Sequence, residues 1–231
     1  RTRLQWIYRS YYASVKMIDD EVGRLLETLR ETGQEENTIV VFSTDHGDQL
    51  LAHGLEGKNV FFEESVRVPF MVALPGRVKA GRRDELIEMV DVLPTLLDLC
   101  GVAVPERVQG RSFAGLLTGG AYKPREFVFA ENVIPEVITN RSLDLPFERG
   151  KGVGGVRHPD AKMIRTRRWK YNHYTDNGGE LYDLEADPGE ERNLIGDPAQ
   201  AGRVQEMRER LLDVLITADE VDQIAPRWRL Q

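Results

Sequence analysis

Apolar residues recur every three or four positions near the start of the chain: Ile7, Tyr11, Val15, Ile18, Val22, Leu25, Leu26 and Leu29. That spacing places them on one face of a long amphipathic helix, and Gly33 is positioned to cap its C-terminus. The pattern then changes. Thr38-Ile39-Val40-Val41-Phe42-Ser43 is β-branched and nearly continuously apolar, which suits a strand buried on both faces of a parallel sheet. Helix followed by buried strand is an α/β signature. Residues 49–67 lose all periodicity and read as a long, polar, glycine-punctuated loop, of a length that is usually functional. Residues 68–74 form a second apolar strand, stopped by Pro75-Gly76, with Pro69 tolerable near its start. Residues 91–101 predict a helix, with Asp91 as cap, Pro94 in the first turn and Gly101 at the end. Cys100 falls on this apolar helix and is expected as a buried structural thiol.

The second half is patterned differently. Residues 127–130 read as a short strand, and residues 162–166 and 169–174 as antiparallel strands joined by a tight basic turn. Residues 180–184 add a third strand, and Asp187-Pro188-Gly189 is a turn. Val204, Met207, Leu211, Leu212, Leu215 and Ile216 mark an amphipathic helix. Trp169 and Tyr171 are expected in the core of this unit. Residues 132–160 are irregular and glycine-rich. The expected organisation is an α/β unit over residues 1–125 and a small antiparallel sheet plus helix over residues 126–231.

Composition narrows the function classes. The chain has 231 residues, 41% hydrophobic and 30% charged, which describes a globular protein rather than a disordered one. Its formal net charge of −7 argues against a general nucleic-acid binder, which would carry a basic field. The longest apolar runs fall well short of the ~20 residues of a membrane span. One cysteine rules out an internal disulfide framework and a multi-cysteine zinc site. The chain opens on Arg1-Thr2-Arg3, without Met or a signal peptide, and is expected to start part-way through a larger protein. Localisation is unread.

Candidate chemistry gathers behind the first strand. Asp45 and His46 lie at its C-terminal end, where open α/β sheets place their ligands. A carboxylate and an imidazole together can bind a divalent cation. Adjacent strand residues point opposite ways, so the pair converges only if the backbone turns, which Gly47 permits. The other reading is an Asp capping a helix beside a surface His. Lys58 follows in His53-Gly54-Leu55-Glu56-Gly57-Lys58; its ammonium is either an oxyanion contact at a metal or a solvated lysine. His53 is a candidate proton donor or anion contact. Glu63, Glu64 and Arg67 are expected to order the loop through ion pairs. His158 is a candidate substrate contact, and Asn140-Arg141-Ser142 matches a glycosylation sequon.

Taken in order, these segments resemble the sulfatase family of the alkaline phosphatase superfamily. The resemblance is carried by Asp45-His46-Gly47, by His53-Gly54-Leu55 with Gly57-Lys58, and by Phe61 through Pro69 (Phe-Phe-Glu-Glu-Ser-Val-Arg-Val-Pro). Flanking segments extend it: residues 12–23, residues 90–101, Gly110-Arg111-Ser112-Phe113, Arg167 through Tyr171, and residues 180–194. It spans about residues 8–117 and 161–195.

The resemblance implies an α/β fold: part of an alkaline-phosphatase-like sheet sandwiched by helices, then a small antiparallel sheet plus helix. Residues 132–160 have no clear counterpart in the family and are expected as a substrate-side loop. It implies Asp45 and His46 as metal ligands, usually for Ca²⁺, with Mg²⁺ or Mn²⁺ as alternatives. Lys58 matches the lysine that contacts the ester's oxyanion, with His53 on the same loop. Many sulfatases carry Asn at the position of His46; the His form also occurs in phosphonate and phosphodiester hydrolases. The family's nucleophile is a formylglycine made within Cys/Ser-x-Pro-x-Arg. Here Cys100 precedes Gly101-Val102, and none of Ser10, Ser14, Ser43, Ser65, Ser112 or Ser142 has Pro two residues on. The formylglycine is thus expected upstream, and the chain alone is expected to be inactive. The implied function is part of a metal-dependent sulfatase acting on a sulfated small molecule or glycan. The alternatives are a phosphonate or phosphodiester hydrolase, and a non-catalytic module acting by association, including with itself.

Overall fold

A computed structural model describes residues 3–55, 57–133, 160–175 and 178–224. His158, the Asn140 sequon and nearly all of the 132–160 loop lie outside the described residues. The first helix, α1 (Arg3–Glu31), forms as the spacing requires. Gly33 adopts the left-handed conformation at φ 68°. Its N–H reaches the Arg30 carbonyl at 3.1 Å, and that of Gln34 reaches Leu29 at 2.9 Å, the glycine-closed helix end. No α1 residue is buried, and Trp6 and Leu25 are 68% and 66% exposed. The apolar stripe exists, and the described residues do not cover it.

Strand β1 (Val40–Ser43) pairs with β2 (Phe70–Ala73), with Val40 opposite Ala73 and Ser43 opposite Phe70. The pairing is antiparallel and every β1 residue is half-buried. This corrects the expectation of a parallel, doubly buried strand: an unbroken apolar run reports burial, not the direction of the neighbouring strand. Between them lie a single turn (Ala52–Gly54) and the short helix α2 (Glu63–Val66).

A turn at Met89–Asp91 leads into α3 (Val92–Leu99), followed by α4 (Ala114–Thr118). Cys100 takes the C-cap position and is exposed, which corrects the buried-thiol expectation: the turn closes toward solvent. Asp91 holds the N-cap position of α3, but its side chain makes no cap hydrogen bond to that helix, which corrects the expectation: its carboxylate is taken up by other partners. It is 1% exposed and accepts hydrogen bonds from the backbone N–H of Glu88 (3.1 Å) and Arg111 (2.8 Å) and from Arg125 Nε (2.8 Å). Arg125 also pairs with Glu88 at 3.0 Å. Burial works against the Arg125 charge, but Asp91 and Glu88 outweigh it and hold the guanidinium above its usual range. Asp91→Ala would leave this cation half-partnered and two N–H groups without acceptors. It is expected to cost about 3 kcal/mol, read as a lowered urea midpoint. A loss below about 1 kcal/mol would show that the cluster contributes only as much as an ordinary hydrogen bond.

The C-terminal unit is a four-stranded antiparallel meander: β3 (Val128–Val133), β4 (Asp160–Arg165), β5 (Trp169–Tyr174) and β6 (Gly179–Asp183). Alternation along β4 gives the sheet two packed faces. Ile164 joins Tyr171 and Leu181 beneath Met207 and Leu211 of α5 (Ala201–Ile224). Ala161 and Met163, of opposite parity, pack on Phe61. Of the six apolar positions that marked α5, Val204, Met207, Leu211 and Leu215 face this core, whereas Leu212 and Ile216 are more than half exposed. Tyr171 is buried, and Trp169 packs on the same core, with the guanidinium groups of Arg168 and Arg203 each 5.1 Å from its ring centroid. Among the described residues, no helix is long and apolar enough to cross a membrane.

Candidate functional site

Beyond β1 the backbone bends through residues 44–47 and is stitched to α2. The Gly47 N–H donates to the Ser65 carbonyl at 2.8 Å. Gly47 is not among the positive-φ residues. A Cβ there would lie 1.8 Å from the Glu64 carbonyl oxygen. The glycine therefore serves close backbone approach, not a left-handed turn.

This bend brings two neighbouring side chains together. His46 Nε2 lies 3.2 Å from Asp45 Oδ2. His46 Nδ1 lies 2.8 Å from the Gly47 carbonyl; a proton on Nδ1 donates there and leaves the Nε2 lone pair directed outward. Lys58 Nζ meets that same Nε2. What burial Asp45 has pushes its carboxyl up, but the Thr44 hydroxyl, the His46 N–H and the His46 ring outweigh this and hold it below its usual range. Asp45, His46 and Lys58 line one broad open groove.

The segment between them is held under strain. Leu50, Leu51 and His53 all have positive φ, at 42°, 75° and 54°, which costs of order 1 kcal/mol or more per non-glycine residue. Compensating bonds run from Gln49 N–H to the Gly57 carbonyl and from Gln49 Nε2 to Ser65 Oγ, both at 2.8 Å. Gln49 is 2% exposed and ties both ends of the loop to α2.

The structure does not bring His53 into the contact of the other three. Its ring stacks on Phe62, with centroids 3.7 Å apart and planes 7° from parallel. Its Nε2 is 3.6 Å from Glu64 Oε2. It lines a separate cleft of 360 Å³ with Tyr182, Glu180 and Glu190.

Sequence reasoning placed Glu63 in loop-ordering ion pairs, and it makes them across more than a hundred residues. Glu63 pairs with Arg165 at 2.9 Å and with Lys170 at 2.7 Å. Burial pushes its carboxyl up, but Lys170 and Arg165 outweigh this and hold it low. Lys170 and its second partner, Glu190, were not legible. Lys170 is fully buried inside β5, a position that alternation alone does not single out for a charge.

Asp45 and His46 supply one oxygen and one nitrogen donor, which fits part of a divalent-cation shell. Among the described residues, no group of three or more His, Cys, Asp or Glu converges to complete one.

The chain is similar to known proteins. The Sulfatase family model matches residues 4–102, which contain all four candidate residues. The Delta 4,5-hexuronate-2-O-sulfatase of Bacteroides thetaiotaomicron is 36% identical, over 93% of this chain and 43% of its own length. A solved 2-O GAG sulfatase superposes with a TM-score of 0.75 at 33% identity, covering 95% of this chain and 46% of that one. The phosphonate monoester hydrolase of Agrobacterium radiobacter also superposes at 0.75, with 27% identity over 90% of this chain and 40% of its own. The chain thus spans less than half the length of these relatives. It belongs to the sulfatase family of the alkaline phosphatase superfamily, as part of that family's domain.

Proposed function

We propose that this chain contributes the late metal ligands and the oxyanion lysine of a sulfuric ester hydrolase that acts on a sulfated small molecule or glycan. The observation that carries the reading is the convergence of Asp45, His46 and Lys58 inside the segment matched by the family model. The names of the similar proteins, a hexuronate 2-O-sulfatase and a 2-O GAG sulfatase, support a sulfated sugar as substrate.

The roles follow from the donor set. Asp45 and His46 would hold a divalent cation through one oxygen and one nitrogen donor, with Ca²⁺ the ion that the family resemblance implies. Such an ion supplies a Lewis acid for the ester oxygens. The Gly47 carbonyl orients the imidazole so that Nε2 faces the site. Lys58 brings a positive charge to the point where negative charge spreads over the sulfuryl oxygens, and an ammonium fixed there needs no reorganisation during reaction. Nothing in these 231 residues supplies the family's Cys/Ser-x-Pro-x-Arg nucleophile motif. The second reading, phosphonate ester hydrolysis, is favoured by His at position 46 and by the phosphonate hydrolase among the structural neighbours.

The reading is checked with the 231-residue chain by itself. Supplied with Ca²⁺, it is expected to hydrolyse para-nitrophenyl sulfate no faster than buffer, because one aspartate, one histidine and one lysine cannot together supply nucleophile, proton donor and a complete cation shell. Turnover above background would overturn the assignment of this chain to one part of the site.

A further inference from the structure

The Lys170 ammonium is fully buried. It contacts Glu63 Oε1 and Glu190 Oε1, each at 2.7 Å, and donates to the Phe61 carbonyl at 2.8 Å. Glu190 returns to the same segment, because its Oε2 accepts the Glu63 backbone N–H at 2.7 Å. Glu190 holds a left-handed backbone at φ 52°, an unfavourable conformation for a non-glycine residue that tertiary contacts must maintain. One buried cation thus gathers three groups from two distant segments onto the start of β5. A pairing of this kind is poor evidence for stability alone, because desolvating three charges offsets most of the attraction.

What the arrangement does have is direction. Phe61 lies three residues after Lys58, and the intervening chain is a tight turn closed by the Val60 N–H on the Lys58 carbonyl at 2.8 Å. Glu63 opens α2, whose Ser65 holds Gly47 through its carbonyl and Gln49 through its hydroxyl. The segment fixed by Lys170 therefore carries Lys58 on one side and receives the Asp45–His46 bend on the other. The Phe61 side chain is pinned independently against Ala161 and Met163.

We propose that Lys170 is a positioning residue: through Phe61 and Glu63 it sets the place of Lys58 relative to His46, so that the C-terminal sheet aims the oxyanion contact. The proposal rests on the reading of Lys58 given above. Lys170 itself touches neither substrate nor metal ligand; it acts through Lys58.

Two measurements test it. The first uses hydrogen exchange in this chain with Glu63→Gln, which keeps the shape and removes the charge, and with Lys170→Met. Amides of residues 57–62 are expected to exchange at least about tenfold faster, with β4–β6 amides unchanged. If Lys170→Met does not fold, Glu190→Gln, which removes a Lys170 partner and leaves the Glu63–Arg165 pair in place, decides with Glu63→Gln. Unchanged exchange at 57–62 overturns the proposal. The second is a kinetic cycle on para-nitrophenyl sulfate, in an enzyme carrying this chain within a complete sulfatase domain. Glu63→Gln is expected to lower kcat by about 10- to 100-fold, the range for a catalytic group displaced by an ångström or less, with KM little changed. In a Lys58→Ala background it should lower kcat no further. Losses that add in the double variant overturn the proposal, since a merely structural contribution would be independent of Lys58. If Lys58→Ala alone leaves kcat unchanged, the reading of Lys58 fails, and the exchange result still decides whether Lys170 fixes the loop.

Discussion

In an enzyme that carries this chain within a complete sulfatase domain, Lys58→Ala is expected to lower kcat/KM for an aryl sulfate by about 10²–10³-fold, the usual effect of removing one preorganised oxyanion contact. The expectation rests on where Lys58 sits. Its residue is exposed, so truncation removes no packing and the fold should be untouched. Its Nζ meets His46 Nε2, so its positive charge converges with a candidate cation ligand. A mobile surface lysine in the same sequence position would lose almost nothing on truncation. Lys58→Arg should recover little, because a planar fork does not reproduce a compact point charge. Steady-state kinetics with a thermal melt separates the cases; an unchanged kcat/KM would remove Lys58 from the site.

The second large effect is expected from adding one methyl group. Gly47→Ala would put a Cβ 1.8 Å from the Glu64 carbonyl oxygen and 2.9 Å from its carbon. The obstacle is backbone, so no side chain can rotate away. The bend must separate from α2 and weaken the Gly47–Ser65 hydrogen bond. Overpacking of this kind costs about 1–3 kcal/mol, and here it falls on the residue next to His46. Both thermal stability and turnover should drop, with kcat reduced at least about tenfold. Gly23→Ala is the control. Gly23 lies within α1, where an added methyl would meet nothing within 4 Å, and alanine there should if anything favour the helix. A Gly47→Ala variant with normal melting and normal kinetics would show that the close approach is not needed.

Local structure was readable where a single periodic signal decides it. The 3.6-residue repeat from Ile7 to Leu29 gave α1, and the strand–turn–strand pattern around Arg167 gave β4 and β5. The direction of β1 was not readable, because an apolar run records that a strand is covered and not which way its partner runs. The pattern does not place Cys100 because its helix is apolar on average, while the C-cap position just past buried Leu99 is exposed. The site separates in the same way. Asp45, His46 and Lys58 were legible from spacing together with family resemblance, but their convergence depends on Gly47 meeting Glu64, a contact between segments seventeen residues apart. The Lys170 cluster was illegible for a stronger reason. Lys170 lies in a strand flanked by aromatic residues, where a lysine ordinarily marks the solvent face, and its partners Glu63 and Glu190 come from segments with no sequence relation to β5. Long-range pairing of buried charge leaves no local periodicity.

Whether this chain belongs to a site built for sulfate esters is decided by presenting one enzyme, carrying this chain within a complete sulfatase domain and supplied with Ca²⁺, with two esters of the same alcohol. Initial rates are measured for para-nitrophenyl sulfate and for a para-nitrophenyl phosphonate monoester. A higher kcat/KM is expected for the sulfate, with loss of that activity in Lys58→Ala. Efficient turnover of the phosphonate with the sulfate left intact would contradict the sulfatase reading, and would assign Asp45, His46 and Lys58 to phosphonate ester hydrolysis instead.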